Sequence, residues 1–319
     1  MDRRGFLAGA AALALSPRAL AELRVEHTVA LVTADLESRL VVVDAATGRV
    51  LRHVRTHPKP RSIEAVGSFA VVAHSELGLV SLVDAASLRV IHVLRGFGEP
   101  RYTAGHPDGR CAYVSDAKRG EIVALDLQRG QVAARVRVGA LARHITISPD
   151  GRTLWVALGR KAKEIAVVEV RGPTRLRFAG TFRPPFLAHD VGWAPGGSRV
   201  WVTSGERREL AIYAAGSRRV LSRHAADEPP QHVTFRGGRV YVASGDSGTV
   251  RTHSLDGRRL ATARVPTGSY NVQEAHGWVV TPGLGRGSLC LLSLSGRVVR
   301  TEQVARSSHD ACLVVTPAV

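Results

Sequence analysis

Seven polar residue pairs recur along this chain at intervals of 39 to 46 residues: Arg61-Ser62, Arg101-Tyr102, Arg143-His144, His189-Asp190, Gln231-His232, Tyr270-Asn271 and His309-Asp310. A guanidinium presents a planar fork of N–H donors that matches a carboxylate or a phosphate, and its charge strengthens each hydrogen bond. An imidazole can take or give a proton near neutral pH, or offer a lone pair to a metal ion. Brought together, Arg61, Arg101 and Arg143 would make a cationic side. Facing it, His144, His189, His232 and His309 with Asp190 and Asp310 would make an imidazole-carboxylate side, to which Tyr102, Tyr270 and Asn271 add hydrogen bonds. An anionic ligand with a second polar function fits such a ring.

Two other chemistries compete for the same residues. Zinc and similar ions take His and Asp ligands, but no His-x-His or Cys-x-x-Cys spacing is present. Adjacent residues of an extended strand also point to opposite faces, and the arginines would repel a cation. No metal and no other cofactor is predicted, and an ion at the ring is the lesser alternative. For catalysis, His could serve as acid or base beside a stabilising Arg. No nucleophile motif accompanies it, and Glu is absent from the seven pairs. The expectation is a binding site without catalysis. A merely hydrated ring could use Ser, Asn and Thr; its wealth of Arg, His and Tyr argues for a ligand.

The elements that must position these pairs form a repeat. Residues 143–151, RHITISPDG, return as residues 189–197, HDVGWAPGG, with weaker copies at 231–235 and at 101–109. A second strand follows in each unit, as in Tyr113-Val114-Ser115, Trp155-Val156-Ala157, Trp201-Val202-Thr203 and Tyr241-Val242-Ala243. Third and fourth strands come next, for example residues 40–43 and 50–54, joined by turns such as Asp44-Ala45-Ala46-Thr47-Gly48-Arg49. Four short strands per unit without an amphipathic helix are the pattern of a propeller blade. The predicted fold class is all-β, a seven-bladed β-propeller of four-stranded blades. The last unit start, His309, has one strand after it, residues 311–316, whereas the chain enters on the second strand of a unit near residues 29–33. Blade 1 is therefore predicted to be closed by the C-terminal strand, which leaves no open edge.

The Tyr/Trp-Val-Ser/Thr/Ala strands, the Pro-Asp-Gly turn and the Asp-x-x-Thr-Gly-x-Val turn together resemble the YVTN family of seven-bladed propellers. The resemblance covers residues 61–260 best; in blade 7, His276-Gly277 stands in place of Pro-Asp-Gly. It implies an extracytoplasmic binding or surface protein. Enzymes on this fold include lactonases and lyases, so a lactonase-like or lyase-like enzyme at the same channel mouth is the alternative function. The innermost strand of each propeller blade begins at the mouth of the central channel, which is where the seven pairs would meet.

The N-terminus reads as an export signal: Arg3-Arg4-Gly5-Phe6-Leu7, an apolar run to Leu15, then Pro17 and Ala19-Leu20-Ala21. The run is too short to cross a bilayer of about 30 Å. It resembles the twin-arginine signal, although Asp2 stands where Ser or Thr is more usual, and that resemblance implies transport in the folded state. Residues 1–21 are assigned to the cleaved signal and 22–319 to a single propeller domain, monomeric and periplasmic or extracellular.

Lys and Arg exceed Asp and Glu by 17, and removal of Arg3, Arg4 and Arg18 with Asp2 leaves +15. Such an excess favours an anionic small molecule or a polyanion. Nucleic acid is a second alternative, drawn from the basic loops Lys118-Arg119, Arg160-Lys161, Lys163 and Arg207-Arg208. Base stacking needs exposed aromatics, and the chain is aromatic-poor, with its tryptophans in strand positions that read as core. Cys111, Cys290 and Cys312 are odd in number and lie within strand-like runs, so they are read as small buried residues.

Overall fold

The computed structural model describes residues 26–317. The export signal assigned to residues 1–21, and the domain start at 22, lie outside the described residues. Seven four-stranded antiparallel sheets stand around a ring, each running from an inner to an outer strand. Among the described residues there is no α-helix, only one 3-10 turn at Ser75–Leu77. Among the described residues no helix is long and apolar enough to cross a membrane.

Burial follows from the position of each strand in its blade. The two middle strands are covered on both faces by neighbouring blades, and so they read as continuous apolar runs: Arg39–Asp44 and Cys111–Asp116 are almost wholly buried. Outer strands meet solvent on one face and alternate, as Gln131–Arg137 does. Between blades the aromatics of the Tyr/Trp-Val motif fill the core. Trp155 packs edge-on against Phe182 at 4.8 Å and near Tyr213 at 5.8 Å, while the buried Tyr241 donates its hydroxyl to the carbonyl of Leu294 in the next blade at 2.7 Å. The three cysteines are buried and unpaired, as their surroundings in the sequence imply.

Turn chemistry sets the strand registers. Asp44 accepts the Thr47 N–H at 2.6 Å, and Asp84 accepts that of Ser87 at 2.7 Å, so the aspartate closes an Asx turn that the following residue leaves in a left-handed conformation. That residue is Gly48 after Asp44, with φ 74°.

The inner strands are Ser62–Val66, Pro100–Gly105, Ala142–Ile147, Ala188–Trp193, Val233–Arg236, Gln273–Ala275 and Ala311–Pro317. Each polar pair lies at the start of one of them or just before it. Blade 1 is built as the repeat requires: Ala311–Pro317 is its inner strand and pairs antiparallel with Glu26–Ala34, Ala30 opposite Leu313.

Candidate functional site

The central channel holds two cavities. One, of about 320 Å³, opens where the inner strands begin, and Arg61, Arg101, Arg143, His189, Gln231, Tyr270 and His309 line it. The other, of about 280 Å³, runs along the inner strands and is lined by His144, Asp190, Asp310, Glu64 and Gln273 among others. Tyr102, His232 and Asn271 line both, and so form a waist between them. The seven pairs do converge.

Their arrangement corrects the lateral division into a cationic side and an imidazole-carboxylate side. Charge is instead layered along the channel axis, with guanidinium groups and His309 at the mouth, the other three imidazoles at the waist and carboxyl groups below. The cause lies in the backbone. Asp190 Oδ1 accepts its neighbour Val191 N–H at 2.8 Å and Oδ2 accepts Val233 N–H of the next blade at 3.0 Å. Asp310 repeats this with Ala311 at 2.8 Å and Ile63 at 3.1 Å. Both aspartates are turned inward to join adjacent inner strands, and neither lines the mouth.

The Ser/Thr hydroxyl that follows Val in the second strand holds three of the pairs in place. Ser115 Oγ accepts the Tyr102 N–H at 3.1 Å, Thr203 Oγ1 accepts that of Asp190 at 3.0 Å, and Thr33 Oγ1 accepts that of Asp310 at 2.9 Å. Thr203 also donates to the carbonyl of Gln231 in the next blade at 2.7 Å. A motif read as fold chemistry thus also fixes the channel wall.

At the mouth, the buried Nε atoms of Arg61, Arg101 and Arg143 have no hydrogen-bond partner. Among the described residues Arg61, Arg143 and Arg160 make no ion pair, and Arg101 is paired with Glu99. Burial and the neighbouring Arg143 charge lower the Arg101 guanidinium below its ordinary value. Arg143 stands over the Tyr102 ring at 5.8 Å, a cation–π distance. Tyr270, by contrast, is engaged, its hydroxyl donating to Asp246 at 2.9 Å.

At the waist Tyr102 stacks on His144 with centroids 4.1 Å apart, and one ring nitrogen from each of His144, His189 and His232 lies within 4.8 Å of the others. Burial holds all three imidazoles below their ordinary value, His189 at about 4, so they are neutral at pH 7. His309 is pushed to about 3, by burial first and then by Arg61. His189 Nδ1 donates to the carbonyl of Arg160 at 3.1 Å. Both nitrogens of His144 are buried without a partner.

Below the waist burial raises Asp190 to about 7 and Asp310 well above the carboxylate range. Glu64 is raised to about 7, also by burial, and accepts a hydrogen bond from Gln273 Nε2 at 2.8 Å. Glu64, Gln273 and Arg160 stand outside the seven pairs. The first two lie two residues past Ser62 and Asn271, so the period-2 alternation of a strand carries them onto the same wall. Arg160 comes from a loop between second and third strands, which frames the same end of the channel.

The basic loops are partly neutralised. Arg208 pairs with Glu228, and Arg207 lies 3.6 Å from Glu206 and 3.5 Å from Glu209.

Neither a protein-family model nor a curated protein matches the chain by sequence. Solved structures do match by fold, 1684 chains in all, so the likeness discriminates poorly among functions. A functionally unknown protein from Desulfotomaculum acetoxidans superposes with a TM-score of 0.78 at 14% identity, covering 92% of this chain and 100% of the other. Hydrazine synthase from Kuenenia stuttgartiensis gives 0.67 at 17% identity, covering 81% of this chain and 95% of the other. Dihydro-heme d1 dehydrogenase NirN, in complex with DHE, gives 0.62 at 14% identity, covering 86% of this chain and 63% of the other. At these identities the shared property is the propeller-type fold.

Proposed function

We propose that this chain is an exported propeller of YVTN type that binds a small anion at the mouth of its central channel, without turning it over. One observation carries the reading: three guanidinium groups from adjacent blades, Arg61, Arg101 and Arg143, gather in a concave mouth with buried Nε donors unpartnered. Unsatisfied buried donors and like charges held together are both costly, and a carboxylate or phosphate relieves both at once. Tyr102, Gln231 and Asn271 supply the neutral polar contacts. NirN, solved with a ligand, is a structural neighbour that lends a ligand-binding role support. The export part rests on the Arg3-Arg4 signal in the sequence. Calorimetric titration of small carboxylates and phosphates into wild type and Arg143→Gln tests the site. Equal binding by both proteins would overturn the reading.

A second reading, an enzyme in the same channel, draws on Glu64 and Asp190 in the cavity below the waist, both held near 7 by burial. Groups poised there are suited to proton transfer. The histidines, held neutral, are weaker candidates for the acid than these carboxyl groups. Turnover of a bound anion, lost in Glu64→Gln with binding kept, would favour this reading.

A further inference from the structure

We propose that His144, His189 and His232 form a three-histidine site for a first-row divalent cation of the zinc type, at the waist between the two cavities. The donors converge from three successive blades, each ligand anchored on its own sheet. Their nitrogens lie within 4.8 Å of one another, and the His144 ring centroid is 4.4 Å from that of His189 and 4.9 Å from that of His232. Donors at about 2.0–2.1 Å from a tetrahedral zinc stand about 3.3 Å apart, so the rings must close by up to about 1.5 Å on binding.

His144 supplies a second observation. It is 1% exposed, and neither ring nitrogen has a partner. Native interiors leave few polar atoms in this state, because a lost hydrogen bond goes uncompensated there. A bound cation satisfies one of those nitrogens.

The surroundings of the other two rings add a third. Because a carbonyl only accepts, the bond from His189 Nδ1 to Arg160 puts the proton on Nδ1 and leaves Nε2 with a free lone pair. His232 Nδ1 faces Asp190 Oδ2 at 3.6 Å. A carbonyl and a carboxylate behind the ligating imidazoles are the partners that orient metal-bound histidines.

Charged and titratable groups flank the site on both sides. Arg143 lies on the mouth side, but Asp190, Asp310 and Glu64 line the cavity below. Three neutral nitrogen donors select against magnesium and calcium, which take oxygen, and suit zinc, copper, nickel or iron. Three ligands leave a fourth position open. An anion in the arginine pocket would supply it, and that clause alone rests on the proposed function.

The test uses the exported chain, purified without an affinity tag, stripped with a chelator and titrated with Zn²⁺ by calorimetry. Co²⁺, followed through the visible bands of a tetrahedral ion, provides a spectroscopic readout. The expected result is one equivalent of Zn²⁺ and a tetrahedral Co²⁺ spectrum. His144→Ala, His189→Ala and His232→Ala should each weaken binding by more than the 10–100-fold that loss of an outer partner costs. The exposed His276 serves as control, and His276→Ala should bind as wild type does. If an alanine variant fails to fold, His144→Gln keeps the volume, lacks the imidazole and should show the same loss. Less than one equivalent bound by wild type, or undiminished binding by a folded His144→Ala or His144→Gln, would overturn the site. Titration with zinc in the absence of a small anion tests the histidines alone, so its failure would leave the arginine pocket standing.

Discussion

Asp310 accepts the main-chain N–H of Ile63 at 3.1 Å, although 247 residues separate them in sequence. One carboxyl group from the last blade-opening segment thereby ties blade 1 to blade 2 across the point where the chain ends meet. Asp190 does the same between blades 5 and 6 through Val233. Removing either carboxyl leaves two main-chain N–H groups unpaired, both buried for Asp310 and one of them partly buried for Asp190, each costing about 1–3 kcal/mol when buried. Asp310→Ala and Asp190→Ala should therefore each lose about 2–4 kcal/mol in urea or guanidinium unfolding. An unchanged midpoint in both would mean that the carboxyl groups do not hold the ring.

Closure should also depend on the C-terminal strand. Without Ala311–Pro317, the strand Glu26–Ala34 becomes an open inner edge with its N–H and C=O groups unpaired. Deleting residues 311–319 should give aggregation or a large fall in melting temperature. A truncated protein that melts as the full chain does would contradict closure by this strand.

The mouth should discriminate between arginines. A charge-assisted hydrogen bond contributes about 1.5–3 kcal/mol, so Arg101→Gln and Arg143→Gln should weaken binding of a small anion by roughly 10 to 100-fold. Arg258, exposed in a turn away from the channel, is screened at physiological salt beyond about 8 Å, and Arg258→Gln should have little effect. Equal, small and strongly salt-dependent losses in all three, measured by calorimetry at two salt concentrations, would point to diffuse attraction.

Export should require the paired arginines. Arg3→Lys with Arg4→Lys should leave uncleaved precursor inside the cell, seen by size and fractionation. Normal processing of that variant would assign the chain to the general secretory route.

Stability should fall with acid through His74. This buried ring donates its Nδ1–H to Pro58 O at 2.9 Å, and its Nε2 accepts from Ser81 Oγ at 3.1 Å. Burial holds its pKa at about 4 against an ordinary 6.5. Between those values the unfolded chain binds a proton that the folded one refuses, so stability rises with pH and falls as pH drops from 6.5 to 4. The loss is complete below about 4 and amounts to roughly 3 kcal/mol. Unfolding of wild type and His74→Gln at pH 4 and pH 7.5 isolates this residue. The same acid loss in both proteins would refute the assignment.

The fold was legible because a propeller repeats. The sequence restates similar turn and strand chemistry from unit to unit, with weaker copies in some, and each unit needs only local rules: Asp44 and Thr47 close a turn, Val41 and Val43 share a face, Gly48 takes a positive φ. Even ring closure could be read from counting, since one strand was left over at one end and missing at the other. The convergence of the polar pairs on the central channel followed from the same count.

What each pair does there was decided by tertiary structure. His189 and Asp190 are neighbours in sequence, yet one faces the mouth and the other ties Val233 of the next blade, because main-chain donors of an adjacent inner strand reach only the second. Glu64 lay outside the pairs and became a channel group by strand alternation. The convergence of His144, His189 and His232 has no local spacing, since 45 and 43 residues separate them; only the closing of blades 4, 5 and 6 around one axis brings their nitrogens within 4.8 Å. Sequence patterns report what a residue meets along its own strand, and these side chains meet across blades, where distance is set by the curvature of the whole ring.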